Sequence, residues 1–76
     1  MMRLLSDLAA GEAGTVARVS GHGAACRRIV EMGVVPGTTL EVQRIAPLGD
    51  PIWIKLKGYQ LSLRKEEAAQ VYVSND

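Results

Sequence analysis

The stretch EMGVVPGTTLEV, Glu31 to Val42, is where the chain changes period. Before it, Ala25, Ile29 and Met32 recur at the three- and four-residue intervals of one helix face. After it, Leu40 and Val42 alternate with Glu41 and Gln43, as on a strand with one buried side. Gly33, Pro36 and Gly37 stand at the joint. A glycine just past the last apolar helix position predicts a left-handed cap, where a side chain would be strained. Pro36-Gly37 predicts a type II turn: proline fixes the first central residue and glycine accepts the positive φ of the second. A chain punctuated in this way holds a short helix at a set angle to the strand that follows.

The helix, Gly23 to Met32, is too short to be stable in water on its own, so it must lie on apolar surface. Cys26 and Val30 flank its stripe, and Arg27 and Arg28 sit three or four residues before Glu31, a spacing for weak pairs. The rest of the chain reads as strands. In the first, Gly14 to Gly21, Val16 and Val19 are three apart. Either a bulge near Arg18 lets both face inward, or Ala17 and Val19 face in and Val16 begins the strand; the pattern leaves both open. A second strand covers Thr38 to Ile45, and a loop runs from Ala46 to Pro51. Ile52, Ile54 and Leu56 then alternate against Trp53, Lys55 and Lys57, Gly58 marks a tight reversal, and Tyr59, Leu61 and Leu63 alternate against Gln60, Ser62 and Arg64. Lys65 to Ala68 suits a single helical turn, and Val71 and Val73 flank Tyr72 in a last strand. The expected fold is mainly β: a small, partly open antiparallel barrel of about five strands with one short added helix. Barrel closure would also hide strand edges.

Seventy-six residues are read as one domain, 1–76. A chain of this size hides only about 60% of its unfolded surface and has no room for a separate catalytic domain. Nine Lys and Arg against eight Asp and Glu leave a net charge of +1, a weak field for a phosphate backbone. Arg27, Arg28, Arg44, Lys55, Lys57, Arg64 and Lys65 could form a stripe, but Trp53, Tyr59 and Tyr72 are the only aromatics available for base stacking. No nucleic-acid partner is expected. The lone Cys26 excludes an internal disulfide and fits a reducing compartment. Gly11 and Glu12 break the N-terminal apolar run, and no stretch approaches the ~18 residues of a spanning helix. The expectation is a soluble, cytoplasmic chain without direct membrane insertion.

No catalytic constellation stands out. His22 lies four residues before Cys26, which makes the two weak candidates for a dyad or a soft-metal pair. The dyad lacks an orienting third group. Tetrahedral zinc takes four ligands, so weak Fe²⁺ or Zn²⁺ binding here would need carboxylates from a second copy in a homo-oligomer. The SGHGAA turn before the helix lacks the Lys-Ser or Lys-Thr of a phosphate loop. Glu66 and Glu67 read as solvated surface on an exposed turn. What remains is apolar surface. Trp53 faces outward, shielded by the Lys55 and Lys57 stems or free to anchor a partner. Leu48 stands at a loop tip, and Val34-Val35 adjoin the helix; with Arg27, Arg28 and Glu31 they make a candidate protein-binding surface.

The segments RRIVEMGVVPGTTLEV and APLGDPIWIKLKGYQLSLRKEEA, in that order and spacing, resemble the FeoA family, ferrous iron transport protein A. The resemblance spans nearly the whole chain and rests on the helix-Gly-Pro-Gly joint, the Gly49-Asp50-Pro51 loop and the Leu-Arg-Lys-x-Glu-Ala ending. It implies an SH3-like barrel carrying an added helix. It also implies a cytoplasmic accessory or regulatory protein of ferrous iron uptake that binds the cytosolic GTP-binding part of the FeoB membrane transporter, with no enzymatic activity and no cofactor. Trp53 departs from the polar or small residue expected at that place. Two alternatives stand beside this: a metal-responsive Fe²⁺ or Zn²⁺ module, and a free-standing relative of the C-terminal domain of iron-dependent repressors. A polyproline ligand is not expected, because the chain has too few aromatics to line such a groove.

Overall fold

The alternating runs pair as their periods demand. The computed structural model describes residues 2–21 and 23–74. Its elements are β1 (Met2–Leu4), a 3-10 turn (Leu5–Asp7), β2 (Ala13–Val19), α1 (Ala24–Glu31), β3 (Thr39–Ile45), β4 (Ile52–Leu56), β5 (Tyr59–Leu63), the single-turn α2 (Lys65–Ala68) and β6 (Val71–Ser74). All pairings are antiparallel, in the order β1-β6-β2-β3-β4-β5. One core cluster draws side chains from β2 to β6, both helices and the 3-10 turn, so the open sheet curls around it. Leu40, Val42, Ile52, Ile54, Leu56, Leu63, Val71 and Val73 are all buried in it, as the alternation predicts. Lys57 (φ 50) and Gly58 (φ 83) form the two-residue turn between β4 and β5, with the backbone twist that suits a hairpin.

The alternation predicts about five strands, and the structure has a sixth, β1. Its three residues pair with β6, Arg3 opposite Val73, and are too few to show a period. The Arg3 guanidinium reaches the Glu12 carboxylate at 3.0 Å and the Asp7 carbonyl at 2.8 Å, and Glu12 also accepts from the Ala9 N–H at 2.7 Å. The Ala9 N–H, and after it Arg3, hold the Glu12 carboxyl below its usual value. Leu5 and Leu8, carried by the turn between β1 and β2, are buried in the core.

Of the two readings of the first strand, the bulge is correct. Val16 pairs with Val73 and Arg18 with Tyr72, which leaves Ala17 as the extra, exposed residue. Val16 is buried, and Val19 packs half-buried on the core. A second bulge in β3, at Gln43, sets Arg44 opposite Trp53. Tyr59 differs from its expected inward position and is exposed at the hairpin end; its hydroxyl donates to the Met32 carbonyl.

Helix α1 docks through Ile29, its one fully buried residue. Its C-terminus is a Schellman motif. The Gly33 N–H donates to Val30 O at 3.0 Å and the Val34 N–H to Ile29 O at 3.2 Å, with Gly33 at φ +100. In that motif the residue after the glycine folds back onto the last helical turn, and both Val34 and Ile29 are fully buried. Beyond it, the Thr38 N–H donates to Val35 O at 3.1 Å across Pro36-Gly37, with Gly37 at φ +94, the geometry of the expected type II turn. The Gly37 N–H to Val16 O bond and the Val16 N–H to Thr38 O bond, each 2.8 Å, fasten the turn to β2.

Candidate functional site

Glu67 is where the two helices and the strand ends are tied together. The turn after β5 begins at Arg64 in extended backbone, and the Arg64 N–H donates to the Glu67 carboxylate at 2.8 Å. Arg28 of α1 reaches the same carboxylate as an ion pair. Glu67 was expected on solvated surface and is instead buried; Arg28 was expected to pair within its helix and instead pairs 39 positions away. The reason is that α2 turns Glu67 back over its own N-terminus, where a bare N–H and the incoming guanidinium satisfy it. Burial pushes this carboxyl up, but the Arg64 N–H and the Arg28 guanidinium outweigh burial, and the net shift is below the usual carboxylate value of 4.5. A lowered folded value means that the clasp contributes fully above about pH 4.5 and is lost as pH falls below it. Glu67→Gln is expected to melt below the wild type at neutral pH, with the gap closing as pH is taken down to about 3. A gap that stayed constant over that range would show that the ionised carboxylate is not what holds the corner.

Beside this corner stands the loop between β3 and β4. The Gly49 N–H donates to Ala46 O at 2.7 Å, the Ala46 N–H to Pro51 O at 3.0 Å, and the Lys65 N–H to the Asp50 carboxylate at 3.0 Å. Asp50 therefore ties the loop to the first residue of α2, while the turn it closes holds Leu48 outward, 94% exposed. The Lys65 ammonium lies beside Gly49. A leucine so exposed on a loop fastened at three points is a preformed apolar knob.

At the base of the same loop, Arg44 stacks on Trp53, with its guanidinium carbon 4.1 Å from the ring centroid. Trp53 does face outward, half-buried, and Arg44 covers its ring, because the bulge at Gln43 brings Arg44 into register with it. Trp53 is in turn opposite Ser62 on β5. Ser62 lines a shallow polar cleft of about 350 Å³ with Arg28, Asp50, Pro51, Arg64 and Glu67. The two carboxylates in this cleft are committed, Asp50 to the Lys65 N–H and Glu67 to Arg28 and Arg64. Asp50 stays exposed and Arg28 is paired with Glu67, so the face carries charges of both signs. Tyr72 is likewise stacked by Arg18 at 4.6 Å, whereas Tyr59 is exposed with its hydroxyl held by the Met32 carbonyl.

The structure gathers only some of the candidate residues. Arg28 lines the cleft, Trp53 pairs with its Ser62, and Leu48 projects from the loop whose Asp50 and Pro51 line it. Arg27 and Glu31 are exposed on α1, and Val35 is half-buried. Val34 cannot contribute to a partner surface: the Schellman motif drives it into the core at 0% exposure. Gly33, Pro36 and Gly37 set the joint, and Gly49, Asp50 and Pro51 set the loop. Arg44, Arg64 and Ser62 join the face without having been singled out for it; Arg44 and Arg64 were visible only as members of a basic stripe. Cys26 is half-buried, and His22 lies outside the described residues. Among the described residues no three His, Cys, Asp or Glu side chains converge as a metal site, and no helix is long and apolar enough to cross a membrane.

Known proteins place this arrangement. A fusion protein of Fe(2+) transport protein A with the Fe(2+) transporter FeoB, from Porphyromonas gingivalis, is 44% identical over 91% of this chain, and the chain spans 8% of the fusion's length. The FeoA protein of Chlorobium tepidum is 40% identical, with a TM-score of 0.87 over 96% of this chain and 70% of that one. The FeoA of Stenotrophomonas maltophilia, solved with zinc and described as an SH3 domain protein, is 28% identical, with a TM-score of 0.81 over 97% of this chain and 89% of that one. A manganese-dependent transcriptional repressor, 22% identical, shares the fold over 99% of this chain and 42% of its own, with a TM-score of 0.89. The family model described as the FeoA domain matches residues 3–75, and the chain belongs to that family.

Proposed function

We propose that this protein is a cytoplasmic accessory factor of ferrous iron uptake, acting by binding the cytosolic GTP-binding part of a FeoB transporter rather than by catalysis. The observation that carries this reading is the fused relative, in which a domain 44% identical to this chain is covalently joined to the transporter. A fusion holds two modules at high effective concentration, the arrangement expected of modules that work in one complex. The surface offers an exposed leucine, Leu48, on a hydrogen-bonded loop beside a polar cleft.

The test is a binding titration of the purified chain against full-length FeoB from the same organism in detergent or lipid discs, with GDP, with a GTP analogue and without nucleotide. Saturable binding is expected in at least one nucleotide state. Its absence in all three would end this reading. A second reading, a metal-responsive module, draws on the zinc-bound relative. In this chain such a site would have to use His22 with Cys26, or carboxylates of a second copy. The same titration repeated with added Fe²⁺ or Zn²⁺ decides it: an affinity unmoved by metal removes the metal-responsive role.

A further inference from the structure

We infer that β5 is the seat of a second copy of this chain, the two β5 strands pairing antiparallel across a twofold axis at Leu61. The inference does not depend on the transporter reading. In the sheet order β5 is an end strand, bonded to β4 on one side only. The two-residue turn at Lys57 and Gly58 makes Leu56 and Tyr59 a hydrogen-bonded pair, and bonding then alternates along the ladder. Tyr59, Leu61 and Leu63 thus spend their backbone groups on β4, while Gln60 and Ser62 point theirs away from it. Among the described residues no other backbone group bonds to the N–H or C=O of Gln60 or Ser62. Both residues are exposed, and the polar cleft opens beside Ser62. An open edge is ordinarily guarded by shortness, a charge, a proline or a bulge. The other edge, β1, has three residues, one of them Arg3. β5 has five, Tyr-Gln-Leu-Ser-Leu, with no charge, no proline and no register shift against β4.

Open backbone groups of this kind recognise another extended backbone, and the register makes that backbone a second copy. Antiparallel copies centred on Leu61 set Gln60 of each opposite Ser62 of the other. Each such pair exchanges two hydrogen bonds, so all the open groups are used at once. Leu61 meets its own kind at the centre, in the close pair that lies between bonded pairs, and its half-buried side chain gains apolar cover there. Sliding the copies by two toward Arg64 fails, because the Arg64 N–H is held by the Glu67 carboxylate and its carbonyl accepts from the Glu67 and Ala68 N–H groups. Sliding them the other way sets Ser62 against Gly58, which lies in the turn at φ 83. Lys57, Arg64 and Lys65 flank the strand, so no like charges stand opposite each other within the paired residues. A strand of another protein would satisfy the same groups without needing this match of spacing to itself.

The test is sedimentation velocity of the full-length chain from about 10 µM to about 1 mM, the range suited to an interface as small as one strand pair. Reducing conditions keep Cys26 from linking copies. The wild type and Ser62→Thr are expected to pass from monomer to dimer across that range. Ser62→Pro removes one outward N–H from each copy and crowds the edge, and is expected to raise the dimer dissociation constant about tenfold or more. That N–H makes no bond to β4, so Ser62→Pro is expected to melt close to the wild type. Amide exchange on the wild type needs no variant: the Gln60 and Ser62 amides gain protection as concentration rises, and the amides of β1 at the other edge do not. A wild type that stays monomeric throughout overturns the inference. So does a dimer that Ser62→Pro leaves intact, or one in which the Gln60 and Ser62 amides stay unprotected. If Ser62→Pro fails to fold, the exchange experiment decides alone. None of these outcomes bears on binding to the transporter, which its own titration decides.

Discussion

Replacing Ile29 with alanine is expected to lower stability by about 2–5 kcal/mol, the range for emptying a fully enclosed aliphatic site. Ile29 is 0% exposed and is the one side chain of α1 wholly inside the core. It also closes the Schellman motif against Val34, so its loss loosens the helix and the joint together. A core of this size rarely supplies more than about 3–5 kcal/mol, which leaves the variant close to unfolding at room temperature. Urea denaturation followed by circular dichroism measures the loss. Amide exchange distinguishes a helix that has lifted from the sheet from a chain that has unfolded throughout. A loss under about 1 kcal/mol would mean that α1 is held by something other than this contact.

Gly33→Val is the second large effect. Gly33 has φ +100, where a β-branched residue is strained by about 1–3 kcal/mol. Space is also lacking, since a Cβ there would sit 2.6 Å from the Tyr59 hydroxyl, which is engaged with the Met32 carbonyl. Together these predict a fall in melting temperature of roughly 10 °C or more, at about 4–8 °C per kcal/mol for a chain of this length. The double variant Gly33→Val, Tyr59→Phe separates the causes. Removing the hydroxyl relieves the collision and leaves the backbone strain, so the two substitutions should be less than additive in cost. An unchanged melting temperature in the single variant would show that the left-handed cap does not form.

The barrel was legible because strands with one wet side advertise themselves at period two. Ile52, Ile54 and Leu56 could be placed inward from their spacing alone, and so could Leu40 and Val42. The bulges were less legible, since an extra residue is visible only as a broken alternation. Val16 and Val19 gave that hint in β2, whereas Gln43 and Arg44 gave none in β3. Val34 misled because a valine outside the helix and before a turn looks like a loop residue; its burial comes from two backbone hydrogen bonds around Gly33. Glu66 and Glu67 are alike in sequence, and only the returning Arg64 N–H and an arginine 39 positions away tell them apart. Leu48 could be read from its loop, but the row Arg44, Trp53, Ser62 depends on register across three strands.

Trp53 is the chain's only tryptophan, and the bulge and the Arg44 stack fix it beside the loop that carries Leu48. The molecule thus holds a single tryptophan, which can be excited apart from Tyr59 and Tyr72, at one defined spot on its outer wall. Its emission follows the hydration of that spot and of little else, so occupancy of this side can be watched in unlabelled protein.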